Sequence, residues 1–129
     1  MSGLRSIAAI TLFVGDRERS KSFYERVFDA ELVHEDEESV AFRFENVIVN
    51  LLVEGAAPEL IEPAPVAPAD SGSRLQLTIG VEDADAACAE LARQGVELLN
   101  GPVDRAWGVR TAAFADPDGH VWEIAANLS

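Results

Sequence analysis

The sequence is short of cysteine, of basic side chains and of long apolar runs, and each shortage excludes a class of protein. Cys88 is the single cysteine, so no disulfide can form within the chain, which agrees with a reducing compartment. Ten Lys and Arg stand against 23 Asp and Glu, for a net charge of −13, and no basic cluster could neutralise the phosphates of DNA or RNA. No apolar run approaches the roughly 18 residues that a membrane span requires. We therefore expect a cytoplasmic protein with neither a nucleic acid nor a membrane as its partner.

The rest of the composition is that of an ordinary globular protein. Apolar residues make up 48% and charged residues 26% of the 129 residues, and these shares are typical of soluble domains. A chain of this length can bury a hydrophobic core without covalent cross-links. We therefore predict a single domain over residues 1–129.

One order of predicted elements occurs twice, namely a strand, a helix and three further strands. The segment Leu12-Phe13-Val14-Gly15-Asp16 ends a strand and begins a helix, and Ile79-Gly80-Val81-Glu82-Asp83 does the same 67 residues later. In both segments the Asp is a favourable N-cap. The stretch between the repeats is rich in Pro, Ala and Gly, which is typical of a linker held partly extended. The sequence thus predicts module one at about 4–54, a linker at about 55–73 and module two at about 74–127.

The last part of module two is predicted to form a hairpin. A short strand at 96–99 is expected to end before Gly101-Pro102. Further on, Phe114 ends one apolar run and Val121 begins another, and Asp116-Pro117-Asp118-Gly119 between them has the residues of a tight turn. Glu123 interrupts the second apolar run. A carboxylate there needs solvent, a partner, a metal or a ligand, because an unpaired buried charge is costly.

Two more polar residues interrupt apolar strands at related places in the two modules. Side chains alternate along a strand, so Asn50 shares a face with Ile48 and Leu52, and Gln76 faces away from the helix of its module. Buried polar groups need partners, and binding sites carry a few converging polar groups. Asn50, Gln76 and Glu123 are therefore candidates for a site. The alternative is that they satisfy one another or bind ordered water.

The repeated order of elements and the ending Asp116-Pro117-Asp118-Gly119-His120-Val121-Trp122-Glu123-Ile124 resemble the vicinal oxygen chelate superfamily. This group includes glyoxalase I, extradiol dioxygenases and bleomycin resistance proteins. Val14-Gly15-Asp16 and Phe23-Tyr24-Glu25 also fit, and Trp107-Gly108 with Arg110 is similar to the drug-binding branches. The resemblance covers essentially the whole chain. It implies an α+β fold of two βαβββ modules in tandem, whose curved mixed and antiparallel sheets surround a cleft, and it implies a homodimer.

The resemblance also implies where a metal would be bound. Metal-dependent members take one ligand from the first strand of each half and a Glu from the last strand, and the corresponding positions here are Ala9, Gln76 and Glu123. Glyoxalase-like members use a further carboxylate from the fourth strand, where this chain has Asn50. A methyl group, two amides and one carboxylate suit the metals of this family poorly, and His120 is expected in the turn or on the opposite face. No cofactor is therefore expected, and a divalent metal is the alternative.

A metal-free member of the family would use the cleft to hold a small molecule. Aromatic side chains could stack on a planar ligand, while Glu123 could pair with a cationic group and Arg110 with an anionic or carbonyl oxygen. Two alternatives stay open: Trp107 and Trp122 pack in the core or at a dimer interface, and Arg110 pairs with Glu123. The candidate ligand-binding residues are Phe13, Asn50, Gln76, Trp107, Arg110 and Glu123.

Three functions are compatible with these residues. The favoured one is metal-free binding of a small hydrophobic or aromatic molecule, with antibiotic sequestration as its biological form. The second is a metal-dependent lyase, isomerase or dioxygenase with an atypical ligand set. The third is a metal-free enzyme in which Glu123 is the catalytic general base.

Overall fold

The computed structural model describes residues 3–128. The chain divides into two compact units, of which the first ends at Ala69 and the second begins at Asp70. This boundary lies inside the predicted linker. Within residues 3–128, no helix has both the length and the apolar character needed to cross a membrane.

Unit one contains one four-stranded mixed sheet and one long helix. Its elements in chain order are β1 (Ala9–Val14), α1 (Arg17–Phe28), β2 (Glu31–Glu35), β3 (Ser39–Arg43) and β4 (Ile48–Val53). The strand order in the sheet is β1-β4-β3-β2, with β1 parallel to β4 and the other neighbours antiparallel. The predicted order of a strand, a helix and three strands is confirmed for this unit.

The segment that follows β4 differs from the prediction. A 3-10 turn spans Glu54–Ala56 and a single-turn helix, α2, spans Pro58–Ile61. Pro58 occupies the first turn of α2, where its missing N–H would have no partner within the helix in any case. Ala57, between the two turns, is fully buried. The linker predicted at about 55–73 therefore begins with helical turns and a buried residue at its N-terminal end.

Unit two repeats the order of unit one. Its elements are β5 (Gln76–Gly80), α3 (Ala84–Arg93), β6 (Leu98–Asp104), β7 (Val109–Ala115) and β8 (Val121–Asn127). The strand order is β5-β8-β7-β6, again with a parallel pair at one edge. The α+β class with two βαβββ modules, which the resemblance implied, is confirmed.

Strand β6 runs through the Gly101-Pro102 pair that was expected to follow a shorter strand. The pairing register of β6 with β7 shifts on both sides of Asn100, as in a β-bulge. Gly101 has φ +87°, and a Cβ there would collide with the Thr111 carbonyl oxygen and lie 2.7 Å from the Ala112 Cα. Only glycine allows β6 to approach β7 this closely, so the strand continues where the sequence predicts a break.

Helices α1 and α3 begin at the predicted caps. The Asp16 Oδ1 accepts a hydrogen bond from the Arg19 backbone N–H at 3.1 Å, and the Asp83 Oδ1 accepts one from the Ala86 backbone N–H at 3.0 Å. Each carboxylate satisfies a helix donor that has no partner within its helix. The two caps fix the point at which the chain leaves the first strand of each unit and begins the helix that crosses its sheet.

Helices α1 and α3 each pack on one face of the sheet in their own unit. In unit one, Tyr24 of α1 stacks on Phe42 of β3 with 6.2 Å between ring centroids. In unit two, α3 lies against β6, β7 and β8, and Phe114, Trp122 and Ile124 are buried on that face. The alternation of side chains along each strand therefore leaves the residues of opposite parity on the face away from the helix.

Candidate functional site

The turn before β8 determines which face of the sheet receives Glu123. The Asp116 Oδ1 accepts hydrogen bonds from the backbone N–H groups of Asp118 and His120, both at 2.9 Å. The Gly119 N–H donates to the Asp116 carbonyl at 3.0 Å, and Gly119 has φ +88°. These bonds fix the register in which β8 returns along β7. His120 lies in the turn, which was one of its two predicted places.

Four residues in register form a row across unit two, with Thr78 on β5, Glu123 on β8, Ala113 on β7 and Asn100 on β6. Directly paired residues project from the same face of a sheet. We call this surface the Glu123 face, and its opposite is the face that packs against α3. The Glu123 face is defined by Gln76, Thr78, Asn100, Thr111, Ala113 and Glu123.

Glu123 is held on this face by a neutral partner. The Thr78 hydroxyl donates a hydrogen bond to the Glu123 Oε1 at 2.9 Å. Glu123 is half-buried, whereas Thr78 and the neighbouring Gln76 are exposed. A carboxylate has about four acceptor positions, so most of the hydrogen-bonding capacity of Glu123 is left for another group. Thr78 was not among the predicted site residues, although the alternation that selected Gln76 places it on the same face.

Arg110 lies on the opposite face of unit two from Glu123. It pairs with Ala126 of β8 and therefore shares the parity of Ile124 and Trp122. Its Nε donates to the Asp104 Oδ1 at 2.6 Å, and its Nη1 donates to the Asp85 Oδ2 at 2.9 Å. The alternative that Arg110 pairs with Glu123 is wrong, because Asp104 and Asp85 take its guanidinium on the side of α3.

The Arg110 contacts perturb both charged groups. The hydrogen bond that Arg110 donates to Asp104 raises the pKa of Arg110 above its already high value, and Asp85 adds to the effect. In return the same hydrogen bond lowers the pKa of the Asp104 carboxyl. Arg110 links β7 to β6 through Asp104 and to α3 through Asp85, and because these side chains are substantially exposed the ion pairs contribute little to stability.

Arg105 places a cation on the Glu123 face. Its Nε donates to the Thr111 hydroxyl at 3.0 Å, and its Nη2 donates to the Asn100 Oδ1 at 3.4 Å. Thr111 pairs with Ala125, two residues along β8 from Glu123 and on the same side of the sheet. Arg105 was not predicted. Alternation along the β7–β8 hairpin already indicates that Arg110 and Glu123 project from opposite faces of the sheet. No local sequence pattern indicates that Arg105 reaches the Glu123 face.

Trp107 and Trp122 occupy opposite extremes of exposure. Trp122 is 3% exposed and packs in the core of unit two, as its alternation with Glu123 indicated. Trp107 is 73% exposed in the turn between β6 and β7. The Gly108 N–H donates to the Arg105 carbonyl at 3.1 Å to close that turn. Core packing of Trp107 is therefore wrong, while ligand binding and packing at a dimer interface stay predictions.

Unit one contains the equivalent row. Asn50 of β4 pairs with Thr11 of β1 on one side and with Ala41 of β3 on the other. Thr11 precedes Thr78 by the 67 residues that relate the two modules. Phe13 lies on the same face as Asn50 and is half-buried. The structure therefore places Phe13 and Asn50 together in unit one, as it places Gln76 and Glu123 together in unit two.

A family model for the Glyoxalase/Bleomycin resistance protein/Dioxygenase superfamily matches residues 6–124 of the chain. The chain belongs to this superfamily. A protein of the same description from Nocardioides has a TM-score of 0.88 at 24% identity, covering 100% of this chain and 87% of its own. A glyoxalase-related enzyme from Fulvimarina pelagi has a TM-score of 0.83 at 27% identity, with coverage of 96% and 89%. TnmS3, an antibiotic binding protein from Streptomyces sp. CB03234, has a TM-score of 0.75 at 24% identity, with coverage of 98% and 99%.

The superfamily fold thus occurs both in proteins described as enzymes and in one described as an antibiotic binder. Fold alone does not decide between these functions. The decision depends on the side chains that this member of the superfamily carries at its candidate site.

At the three positions that the resemblance implied for a metal, the side chains present suit a metal poorly. Ala9 has only a methyl group and Gln76 has an amide. Glu123 has a carboxylate, and its Oε1 already accepts a hydrogen bond from the Thr78 hydroxyl. A catalytic metal centre commonly uses about three protein donors, with His and carboxylates preferred. Across residues 3–128, no three His, Cys, Asp or Glu side chains are grouped so that they could hold a metal ion.

Proposed function

We propose that this protein binds a small apolar or aromatic molecule on the Glu123 face without a metal. The observation that carries the proposal is the state of Glu123, a half-buried carboxylate that is fixed by the neutral Thr78 hydroxyl instead of a cation. Burial of a charge is costly unless it is paired. A ligand donor that reaches Glu123 would supply the missing partner.

The rest of the face suits such a ligand. Gln76 and Thr78 are exposed and can form hydrogen bonds with a ligand, while the half-buried Val121 and Ala125, which flank Glu123 on the same face, add apolar surface. Binding sites for small molecules combine apolar surface with a few placed polar groups in this way. The description of TnmS3 as an antibiotic binding protein also supports a binding role. Antibiotic sequestration is the biological form that we favour.

A fluorescence titration tests the proposal. N-phenyl-1-naphthylamine, a neutral aromatic probe that brightens in apolar surroundings, is added to protein treated with EDTA. We expect saturable binding of one probe per chain in the presence of the chelator. Failure to bind, or binding only after a divalent metal is returned, would contradict metal-independent binding.

Two matched variants place the probe on the molecule. Thr78→Arg adds a bulky cation beside Glu123, whereas Ala89→Arg adds the same group to an exposed position of α3. We expect at least about tenfold weaker binding in the first variant, because its new side chain fills the face and pairs with Glu123. The second variant should bind the probe like the unmodified protein. Equal binding by both variants would remove the Glu123 face from the proposal.

A further inference from the structure

Arg105 is placed on the Glu123 face by the hairpin turn between β6 and β7. Its backbone N–H donates to the Val109 carbonyl at 2.7 Å, and its carbonyl accepts the Gly108 N–H at 3.1 Å. The side chain then reaches back over the sheet to Thr111, which is fully buried, and to Asn100. Hydrogen bonds thus hold both the backbone and the guanidinium of Arg105 in place.

The guanidinium has neutral partners although the chain is strongly acidic. Arg17 bonds Glu35 at 2.6 Å and Arg110 bonds Asp104 at 2.6 Å. Among the described residues, no carboxylate lies within ion-pair distance of Arg105, whose partners are a hydroxyl and an amide oxygen. An arginine has five N–H donors, and two of them are used here. In a chain with a net charge of −13, a half-buried arginine without a counter-ion is unexpected.

Arg105 and Glu123 lie on one face but are held apart. Thr78 of β5 bonds Glu123 on one side of the row, while Thr111 and Asn100 hold Arg105 on the side of β7 and β6. Ala113 lies between them in the row, and its methyl group cannot bridge the two charges. The row therefore presents a carboxylate on β8 and a guanidinium on the side of β7 and β6 as two separate charged groups.

We propose that Arg105 selects ligands that carry an anionic oxygen group, such as a carboxylate or a sulfonate, on an apolar or aromatic body. This proposal rests on the proposed binding function and deepens it. The free N–H groups of Arg105 bind the anionic oxygens, and Thr111 and Asn100 keep the guanidinium in place for that contact. Arginine is well suited to this task because its planar fork can donate two parallel hydrogen bonds to one oxyanion.

The test uses two probes that share one ring system. 1-Anilinonaphthalene-8-sulfonate is N-phenyl-1-naphthylamine with a sulfonate added. The overall charge of −13 disfavours the anionic probe. A preference for the sulfonate therefore requires a local cation. We expect the sulfonate probe to bind about tenfold more tightly than the neutral one, the size of a charge-assisted contact.

Arg105→Gln is compared with Arg93→Gln, which removes the same charge from an exposed position of α3. We expect the preference for the sulfonate probe to disappear in Arg105→Gln and to persist in Arg93→Gln. Thermal unfolding of both variants checks that each retains the fold. Arg105→Lys, which keeps the charge but loses the planar fork, should restore part of the preference.

The outcomes separate this inference from the proposed function. If both probes bind but the preference for the sulfonate survives in Arg105→Gln, Arg105 is not the selecting residue and the binding function stands. If both probes bind to the unmodified protein with equal affinity, the anion selectivity is wrong. If neither probe binds, the proposed binding function fails and the inference fails with it.

Discussion

At the scale of single residues, the hydrogen bond between Thr78 and Glu123 is the contact on which the candidate site depends. The hydroxyl orients the carboxylate without neutralising it, so the negative charge stays available on the surface of the sheet. A Lys or Arg in place of Thr78 would have neutralised that charge by forming an ion pair. The uncharged Thr78 hydroxyl therefore positions Glu123 and leaves its negative charge available for pairing with a ligand.

Replacing the hydroxyl by a methyl group tests this contact. Thr78→Val keeps the shape of the side chain and removes its donor, and we expect the free energy of unfolding to fall by about 0.5–1 kcal/mol because the contact is partly exposed. Thr11→Val makes the same change at the equivalent position of unit one, next to Asn50 instead of a carboxylate. Urea unfolding of both variants should show the larger loss for Thr78→Val. An equal loss would mean that the hydroxyl contributes nothing specific to Glu123.

Single residues also mark the limit of prediction from the sequence. Glu123 and Gln76 were selected because each interrupts an apolar strand, and alternation placed both on the face away from α3. Arg110 was selected from its motif, and its partners Asp104 and Asp85 lie on the helix side. Arg105 reaches the Glu123 face through a long side chain that leaves a turn. The direction of such a side chain depends on its tertiary partners, so periodicity does not reveal it.

At the scale of elements, strand β6 and its bulge shape one edge of unit two. The sequence predicts the strands and helices well because the apolar runs, the Asp caps and the Asp-Pro-Asp-Gly turn are local signals. The course of β6 beyond Gly101 was not predictable in this way. It depends on a close approach to β7, which is a long-range contact.

Gly101→Ala tests the role of that approach. The added Cβ would collide with the Thr111 carbonyl oxygen at a positive φ, so we expect a loss of about 2 kcal/mol or more in the free energy of unfolding. Gly108→Ala is the matched control, since Gly108 has φ +91° but open space around it. Its cost should be about 1 kcal/mol, from backbone strain alone. Similar losses in both variants would show that the close packing of β6 on β7 is not important.

The turn between β2 and β3 is a second element with a specific anchor. The Asp36 Oδ1 accepts hydrogen bonds from the backbone N–H groups of Glu38 and Ser39, both at 2.8 Å, and the Oδ2 lies 2.9 Å from the His34 Nε2. The contact with His34 has the largest effect on the pKa of Asp36, and the hydrogen bond from the Glu38 backbone N–H adds to it. Together they hold the pKa of Asp36 well below its usual range. This turn lies in the acidic run Glu35-Asp36-Glu37-Glu38, and Asp36 gives it internal structure.

The lowered pKa of Asp36 has a definite consequence for stability. Its contribution is present above the unfolded pKa of about 3.9 and is lost as the pH falls below that value toward the folded pKa. We expect Asp36→Asn to be less stable than the unmodified protein at pH 6, with a difference that shrinks below pH 4. Denaturant unfolding across this range measures the change. Glu37→Gln, from the same turn, serves as the control for charge, and an identical pH profile for both variants would contradict the role of Asp36.

At the scale of the whole molecule, the homodimer implied by the superfamily stays a prediction. Several large apolar side chains are exposed, among them Leu60, Leu99 and Trp107, and apolar surface is typical of interfaces. Light scattering at micromolar concentration should give twice the chain mass of 13.9 kDa. A monomer mass under those conditions would contradict the dimer.

Elemental analysis of the native protein tests metal-independent binding most directly. The protein is purified without a chelator and without a metal-affinity tag, and the same sample is then titrated with N-phenyl-1-naphthylamine. We predict a transition-metal content far below one ion per chain together with binding of one probe per chain. One stoichiometric metal ion per chain would contradict the proposed function and favour a metal-dependent enzyme.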